Sequence, residues 1–178
     1  MEDSGKENDK LSWIKQQLEI REVSTDELYR IFTLESESYP DDEAASYDML
    51  VYRHSEAPDL TIAAYQHTDI IGFICATRYH GKKLNEEAMH MHIPNGESVC
   101  IHSVVVRKDQ RRQGIALCLL DEFVSRVFRD QRDVSRILLI CKSNLIPLYT
   151  RAGFTLNGKS AVIHGKDPWY EMQIEIQR

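Results

Sequence analysis

The segment that most constrains the fold is an extended run that leads through a basic, glycine-containing turn into an amphipathic helix. Residues 99–106 are rich in β-branched side chains, residues 111–116 form the turn, and residues 115–128 are apolar at helical spacing. The first N–H groups of such a helix lack intrahelical partners, and the helix dipole adds positive charge there. Gly114 allows close approach of a ligand because it has no Cβ. The segment therefore predicts a site for a pyrophosphate-bearing cofactor.

Composition limits the classes of protein that this chain can be. Its 178 residues carry a net charge of −6, which disfavours nucleic acid as the main partner because phosphate contacts need a basic surface. The apolar runs are far shorter than the roughly 20 residues that span a bilayer, and the N-terminus lacks a secretory signal. The four cysteines show no CxxC spacing, which indicates buried free thiols rather than a metal site or disulfides. We therefore expect a cytoplasmic protein with no membrane partner.

The hydrophobic pattern predicts one mixed α/β domain over residues 18–178, preceded by a flexible N-terminal tail over residues 1–17. Alternating and β-branched runs predict strands, and 3.6-residue periodicity predicts helices. Ser24 stands three residues before Glu27, as in a capping box. The predicted elements are a strand at 18–23, helices starting at Ser24 and Pro40, strands at 60–65, 70–79 and 99–106, a helix at 115–128, a strand at 137–140, a short helix at 144–152, and a hairpin of 154–164 with 169–176.

Two motifs resemble the GCN5-related N-acetyltransferases. Arg111, Gly114 and Ala116 fit the R-x-x-G-x-A turn of that family's acetyl-CoA site. About 30 residues further on, residues 144–154 resemble the second cofactor segment, with Asn144 and Tyr149 on a short helix before Gly-Phe. The resemblance implies a single-domain fold with a mixed, mostly antiparallel, twisted sheet flanked by helices. It also implies acetyl-CoA as the cosubstrate.

A closer resemblance concerns the acceptor. Residues 35–46 and 100–106 are similar to segments of the serotonin (arylalkylamine) N-acetyltransferase family. The chain also resembles the fungal polyamine acetyltransferase branch of that family, including residues 169–172. The resemblance covers roughly residues 18–176. It implies acetylation of small primary amines by direct transfer in a ternary complex, with arylalkylamines such as serotonin, tryptamine and dopamine first and polyamines next.

His102 and Tyr149 are the candidate catalytic residues. An alkylamine is protonated at pH 7, so a base is required, and an unperturbed histidine pKa of about 6.5 suits that task. Strand alternation predicts that residues 100, 102 and 104 share a face. By resemblance, Cys100 stands where the animal enzymes have a first histidine, and Tyr149 protonates the leaving thiolate. The alternatives are a core histidine, a packing tyrosine and an acyl-carrying Cys100.

The cofactor residues rest on the same resemblance. The strand backbone is expected to contact the pantetheine arm, and the turn with the start of its helix is expected to enclose the pyrophosphate. Asn144 is expected either to bond the pantetheine or to act as a helix N-cap. The cofactor-binding set is Val104, Val105, Val106, Arg111, Arg112, Gln113, Gly114, Ile115, Ala116, Leu117, Asn144 and Tyr149, and no metal is expected.

The amine site is predicted near Tyr39 and Pro40, which either form an apolar wall or end a helix. An acidic cluster lies beside them and either attracts a polyamine or is a solvated helix end; it comprises Glu35, Glu37, Asp41, Asp42 and Glu43.

The sequence leaves two rival functions open. One is a protein or peptide N-terminal acetyltransferase, and the other is a CoA-binding regulator without catalysis.

Overall fold

A single twisted sheet of seven strands organises the chain, in the order β1-β2-β3-β4-β5-β7-β6. The computed structural model describes residues 2–178, with side chains from residue 9 onward. All neighbouring strands are antiparallel except β4 and β5, which are parallel. The mixed, mostly antiparallel α/β fold is therefore confirmed. The strands are β1 Glu19–Glu22, β2 Thr61–Gln66, β3 Asp69–Tyr79, β4 Ser98–Val106, β5 Arg136–Cys141, β6 Thr155–Lys159 and β7 Tyr170–Glu175.

Helices cover both faces of the sheet and bury its apolar side chains. On one face α2 (Leu28–Ser38) packs on β3 and β4, and α3 (Tyr47–Glu56) packs on β3. On the other face α4 (Ile115–Asp130) packs on the central strands, and α1 (Glu2–Gln17) packs against α4. The short helix α5 (Ile146–Arg151) follows β5. No helix in residues 2–178 is long and apolar enough to cross a bilayer.

The N-terminal segment differs from the flexible tail predicted for residues 1–17. Residues 2–17 form α1, whose Leu11 and Ile14 pack against the core on the α4 side of the sheet. Lys15 Nζ lies 2.8 Å from Asp121 Oδ2 on α4. The two apolar side chains are three residues apart and so share one helix face. Two apolar residues are too few to predict a helix from the sequence, and their role is visible only once they pack against α4.

The helical segment that leads into α2 begins as predicted, whereas α3 does not. Ser24 and Glu27 form the predicted capping box of a 3₁₀ turn over Thr25–Glu27, which runs directly into α2. The helix predicted to start at Pro40 instead begins at Tyr47, where the Ser46 hydroxyl caps it by accepting the Met49 N–H at 3.1 Å. Residues 40–46 form a loop, because turn hydrogen bonds to the Pro40 carbonyl close the chain on itself there.

The sheet opens between its two parallel strands. β4 and β5 pair only where Ser98–Cys100 lies beside Arg136–Leu138, over the part of the chain that the structure describes. Beyond this point the remaining halves of both strands separate. The register of β4 against β3 also shifts between Cys75 and Ala76, which leaves His102 without a directly opposite partner. This irregularity and the splayed strands create the opening that holds the candidate site.

Candidate active site

A cavity of about 780 Å³ occupies the opening between β4 and β5. The C-terminal halves of both strands, the end of α2, the turn before α4 and the segment leading into α5 surround it. It therefore brings together residues that lie more than one hundred positions apart in the chain. The predicted site residues that line it are Tyr39, Pro40, His102, Val104, Val105, Val106, Arg111, Arg112, Gln113, Gly114, Ile115, Ala116, Leu117, Asn144 and Tyr149.

The turn before α4 has the geometry that a phosphate group requires. Gly114 adopts a left-handed conformation with φ 90° directly before the helix, and Arg112 has φ 64°. The Arg111 side chain braces the turn, since its Nε donates to the Val106 carbonyl at 2.9 Å. The N–H groups of Ile115–Leu117 lie in the first turn of the 16-residue helix α4, where they have no intrahelical acceptor. A pyrophosphate fits this set of donors.

Gly114→Ala is expected to weaken CoA binding several-fold and to destabilise the protein by about 1–2 kcal/mol, because an L-residue is strained at this left-handed φ. A Cβ at this position would also lie 3.1 Å from Ile14 Cδ1 and 3.3 Å from Leu11 Cδ2. Calorimetric titration with CoA and urea unfolding measure the two effects.

Gly81→Ala is the matched control, because Gly81 has φ 102°, open space around the new Cβ and a position outside the cavity. It should lose stability yet bind CoA normally. Equal CoA affinity in the two variants would contradict the role of Gly114.

His102 lies in the cavity wall with one ring nitrogen bonded and the other unused. Its Nε2 lies 2.7 Å from Thr77 Oγ1 on β3, and its Nδ1 is buried without a hydrogen-bond partner among the described residues. Burial, and then the charge of Arg53, hold the pKa of His102 well below 6.5. The ring is therefore neutral at pH 7, as a proton acceptor must be. If Thr77 accepts the Nε2 proton, Nδ1 presents a lone pair.

Cys100 does not share the cavity with His102, contrary to the predicted common face of residues 100, 102 and 104. Cys100 packs in a separate cluster with Tyr79, while Val104 packs on the α4 side of the sheet. The register shift in β4 breaks the two-residue alternation on which the prediction depended. Burial also raises the pKa of the Cys100 thiol to about 12. A buried, protonated thiol outside the cavity is unsuited to carry an acyl group.

Tyr149 places a buried phenol on the opposite side of the cavity from β4. Its ring packs edge-on against Phe154, with the ring centroids 5.9 Å apart. Burial raises the pKa of Tyr149 well above 10, and the nearby Tyr39 and Cys141 raise it further. The hydroxyl therefore stays protonated at neutral pH. It can donate a hydrogen bond to a thiolate that forms beside it.

Asn144 lines the cavity from a single helical turn that precedes α5. The N-cap role considered for it is wrong, since Leu145 occupies the N-cap position of α5 and Lys142 that of the preceding turn. The Asn144 side chain is exposed at the cavity edge. Its amide is thus available for the predicted contact with the pantetheine arm.

Tyr39 reaches from the end of α2 to the strand that was predicted to hold the pantetheine. Its hydroxyl donates to the Val104 carbonyl at 3.2 Å and lies 3.4 Å from the Val104 nitrogen. Burial raises the pKa of Tyr39, so the hydroxyl remains a donor. Tyr39 thereby forms part of the cavity wall as well as ending α2, and Pro40 extends that wall.

Several lining residues could not be recognised from the sequence as site residues. Glu35 and Glu43 were seen only as members of an acidic cluster, and Lys142 stands out in no motif. His164 and Trp169 come from the connection between β6 and β7, which folds across the cavity. Their positions depend on long-range packing that leaves no local signature. The described residues contain no group of three or more His, Cys, Asp or Glu arranged for a metal.

The fold and the cavity define a class of protein: a domain whose sheet splits beside a helix N-terminus to hold a phosphate-bearing cosubstrate. A family model described as the acetyltransferase (GNAT) family matches residues 25–154, which is more than half of the chain. The chain belongs to the GNAT acetyltransferase family. Enzymes of this family use acetyl-CoA. The helix N-terminus and the cleft between strands in the cavity could hold such a cosubstrate.

The individual relatives share little sequence identity with this chain. Serotonin N-acetyltransferase from Mesocricetus auratus is 27% identical over 120 residues, which cover 67% of this chain and 58% of that protein. The chain therefore matches less than three fifths of the length of this relative. The loading GNATL domain of CurA from Lyngbya majuscula superposes with a TM-score of 0.79 at 12% identity, covering 89% of this chain and 97% of that one. The GNAT-like decarboxylase GphF in complex with isobutyryl-CoA superposes with a TM-score of 0.74 at 14% identity, and the match covers 88% of this chain and 98% of that one.

Proposed function

We propose that the protein transfers an acetyl group from acetyl-CoA to the amino group of a small primary amine in the cytosol, directly within a ternary complex. The candidate acceptors are arylalkylamines such as serotonin, tryptamine and dopamine, and polyamines. The observation that carries the proposal is the single cavity that His102, Tyr149 and the phosphate cradle share. Relatedness to the fungal polyamine branch is part of the same proposal.

Both proton transfers of the reaction have a residue suited to them. Acetyl-CoA supplies an activated thioester. Within the cavity, the neutral imidazole of His102 takes a proton from the entering ammonium at Nδ1, directly or through water, and so exposes the nucleophilic lone pair of the amine. The amine nitrogen bonds to the thioester carbon, the C–S bond breaks, and Tyr149 donates its proton to the departing sulfur, while the second proton lost by the attacking nitrogen restores the Tyr149 hydroxyl. The donors at the start of α4 hold the pyrophosphate and so fix the position of the thioester relative to these two groups.

The test is acetyl-CoA turnover with a panel of acceptors. We expect product with at least one of tryptamine, serotonin, dopamine and spermidine, and none with a short peptide. Turnover of the peptide alone would favour a protein N-terminal acetyltransferase. Tight binding of CoA without turnover of any acceptor would instead favour the non-catalytic regulator and refute the enzymatic proposal.

A further inference from the structure

Two buried carboxylates line the cavity beside Tyr39, where the amine site is predicted, and each has an oxygen without a charged donor. Glu35 is 2% exposed and Glu43 is 7% exposed. Their Oε2 atoms are both buried without a hydrogen-bond partner among the described residues. Both carboxylates also act on Tyr39, whose pKa they raise together with burial. The two acids therefore lie near the same wall, whereas Glu37, Asp41 and Asp42 of the acidic cluster are exposed.

The local contacts of Glu35 leave Oε2 without a charged donor, since among the described residues only the Ser103 hydroxyl acts on the carboxylate as a hydrogen-bond donor besides the Ala45 N–H. Oε1 accepts the Ala45 N–H at 2.9 Å, which ties the loop after α2 back onto that helix. Arg53 acts on Glu35 through its charge but donates its Nη2 to the Met89 carbonyl at 3.0 Å. Burial raises the pKa of Glu35, although the Ala45 N–H, the Ser103 hydroxyl and the charge of Arg53 each act to lower it. A bound ammonium would place a full positive charge directly beside the carboxylate.

The carboxylate of Glu43 is likewise held through only one of its two oxygens. Lys142 Nζ lies 2.8 Å from Glu43 Oε1 and shares its charge with Asp167, whose Oδ2 is 2.9 Å away. His164 Nε2 bonds the backbone carbonyl of Glu43 at 3.0 Å and holds the loop in place. One lysine thus serves two carboxylates, which leaves this end of the cavity short of positive charge.

We propose that Glu35 and Glu43 form a subsite for a second cationic centre of the amine, which makes aliphatic di- and polyamines the preferred acceptors over amines with a single charge. This inference rests on the proposed acetyltransferase function and deepens it. An ammonium group carries three N–H donors and no acceptor, which suits two buried carboxylate oxygens, of which that of Glu35 has only the Ser103 hydroxyl nearby. Burial makes such charge-assisted hydrogen bonds selective, because a neutral substituent would leave both oxygens without a charged donor.

The decisive experiment compares two acceptors of equal carbon length, 1-aminobutane and 1,4-diaminobutane, with spermidine as a longer probe. For the full chain we expect kcat/KM for the diamine to exceed that for the monoamine about tenfold or more, mainly through KM. Glu35→Gln and Glu43→Gln should each reduce this ratio about ten- to hundredfold. Glutamine keeps an oxygen that accepts from Ala45 or Lys142, while Glu43→Gln also removes the charge that pairs with Lys142. Asp42→Asn removes the same charge from the exposed part of the loop and should leave the ratio unchanged.

Two outcomes would overturn the subsite. One is an equal kcat/KM for the two amines in the unmodified protein. The other is an equal loss for both amines in the variants, which would assign the carboxylates to the reacting amino group. If no amine is acetylated at all, the proposed function fails, and thermal unfolding with CoA and spermidine then tests the subsite alone. Stabilisation by spermidine that Glu43→Gln abolishes would support the subsite, and an absence of stabilisation would refute it.

Discussion

His102→Gln is expected to lower kcat/KM for amine acetylation about 10²–10⁴-fold near neutral pH, the usual contribution of a general base. Glutamine can still reach Thr77 with an atom placed like Nε2, but it has no basic nitrogen at the position of Nδ1. The loss should shrink at high pH, because free amine becomes abundant as the pH approaches an ammonium pKa of about 10. Initial rates from pH 5 to pH 10 measure this dependence.

The lowered pKa of His102 determines where activity is lost on the acidic side of the pH–rate profile. Burial lowers the pKa of His102, so the ring stays unprotonated below the ordinary histidine value of about 6.5. Activity of the unmodified protein should therefore fall only at a pH below 6.5, where the imidazole finally gains a proton. His92→Asn is the matched control, since burial also lowers the pKa of His92 but that residue lies outside the cavity. A loss in His102→Gln that is the same at every pH would refute the base role.

Tyr149→Phe is expected to slow the chemical step about 10²-fold or more while CoA binding is preserved. The phenyl ring keeps the edge-on contact with Phe154, and only the donor to the leaving sulfur is removed. Single-turnover rates report the chemical step, and calorimetric titration reports CoA affinity.

Tyr65→Phe provides the comparison for Tyr149→Phe. Tyr65 also buries a hydroxyl, which donates to Glu27 Oε2 at 2.9 Å outside the cavity. Its loss should reduce stability by about 1–3 kcal/mol and leave the single-turnover rate intact. An unchanged rate in Tyr149→Phe would refute the acid role, and an equal slowing in both variants would indicate a general effect of lost hydroxyl groups.

Local sequence signals were sufficient for much of the fold. The strand, glycine turn and helix around Gly114 were predictable because their determinants lie within a few residues of one another. The capping box of Ser24 and Glu27 was predictable for the same reason. Helix α1 was missed, since its Leu11 and Ile14 form too short a stripe to indicate a helix without the α4 surface.

Two features of the candidate site could not be predicted from the local sequence. The assignment of Cys100 and His102 to one catalytic face assumed unbroken strand alternation, and the register shift in β4 removed that basis. The acidic cluster looked uniform in the sequence, yet folding buries Glu35 and Glu43 and leaves its other members in solvent. Neither the shift nor the burial has a local cause, because both arise from packing between distant segments.

The sequence by itself determined the glycine turn before α4, the order of the strands and of helices α2 to α5, and the residue types at the two candidate proton-transfer positions. These features depend on backbone preferences and on side chains close together in the chain. Only the tertiary structure decided how far β4 and β5 separate, which nitrogen of His102 is free, and which carboxylates reach the cavity. Those properties depend on burial and on hydrogen bonding between different elements of the fold, such as His102 with Thr77 and Tyr39 with Val104. Acceptor selectivity depends on the same long-range contacts.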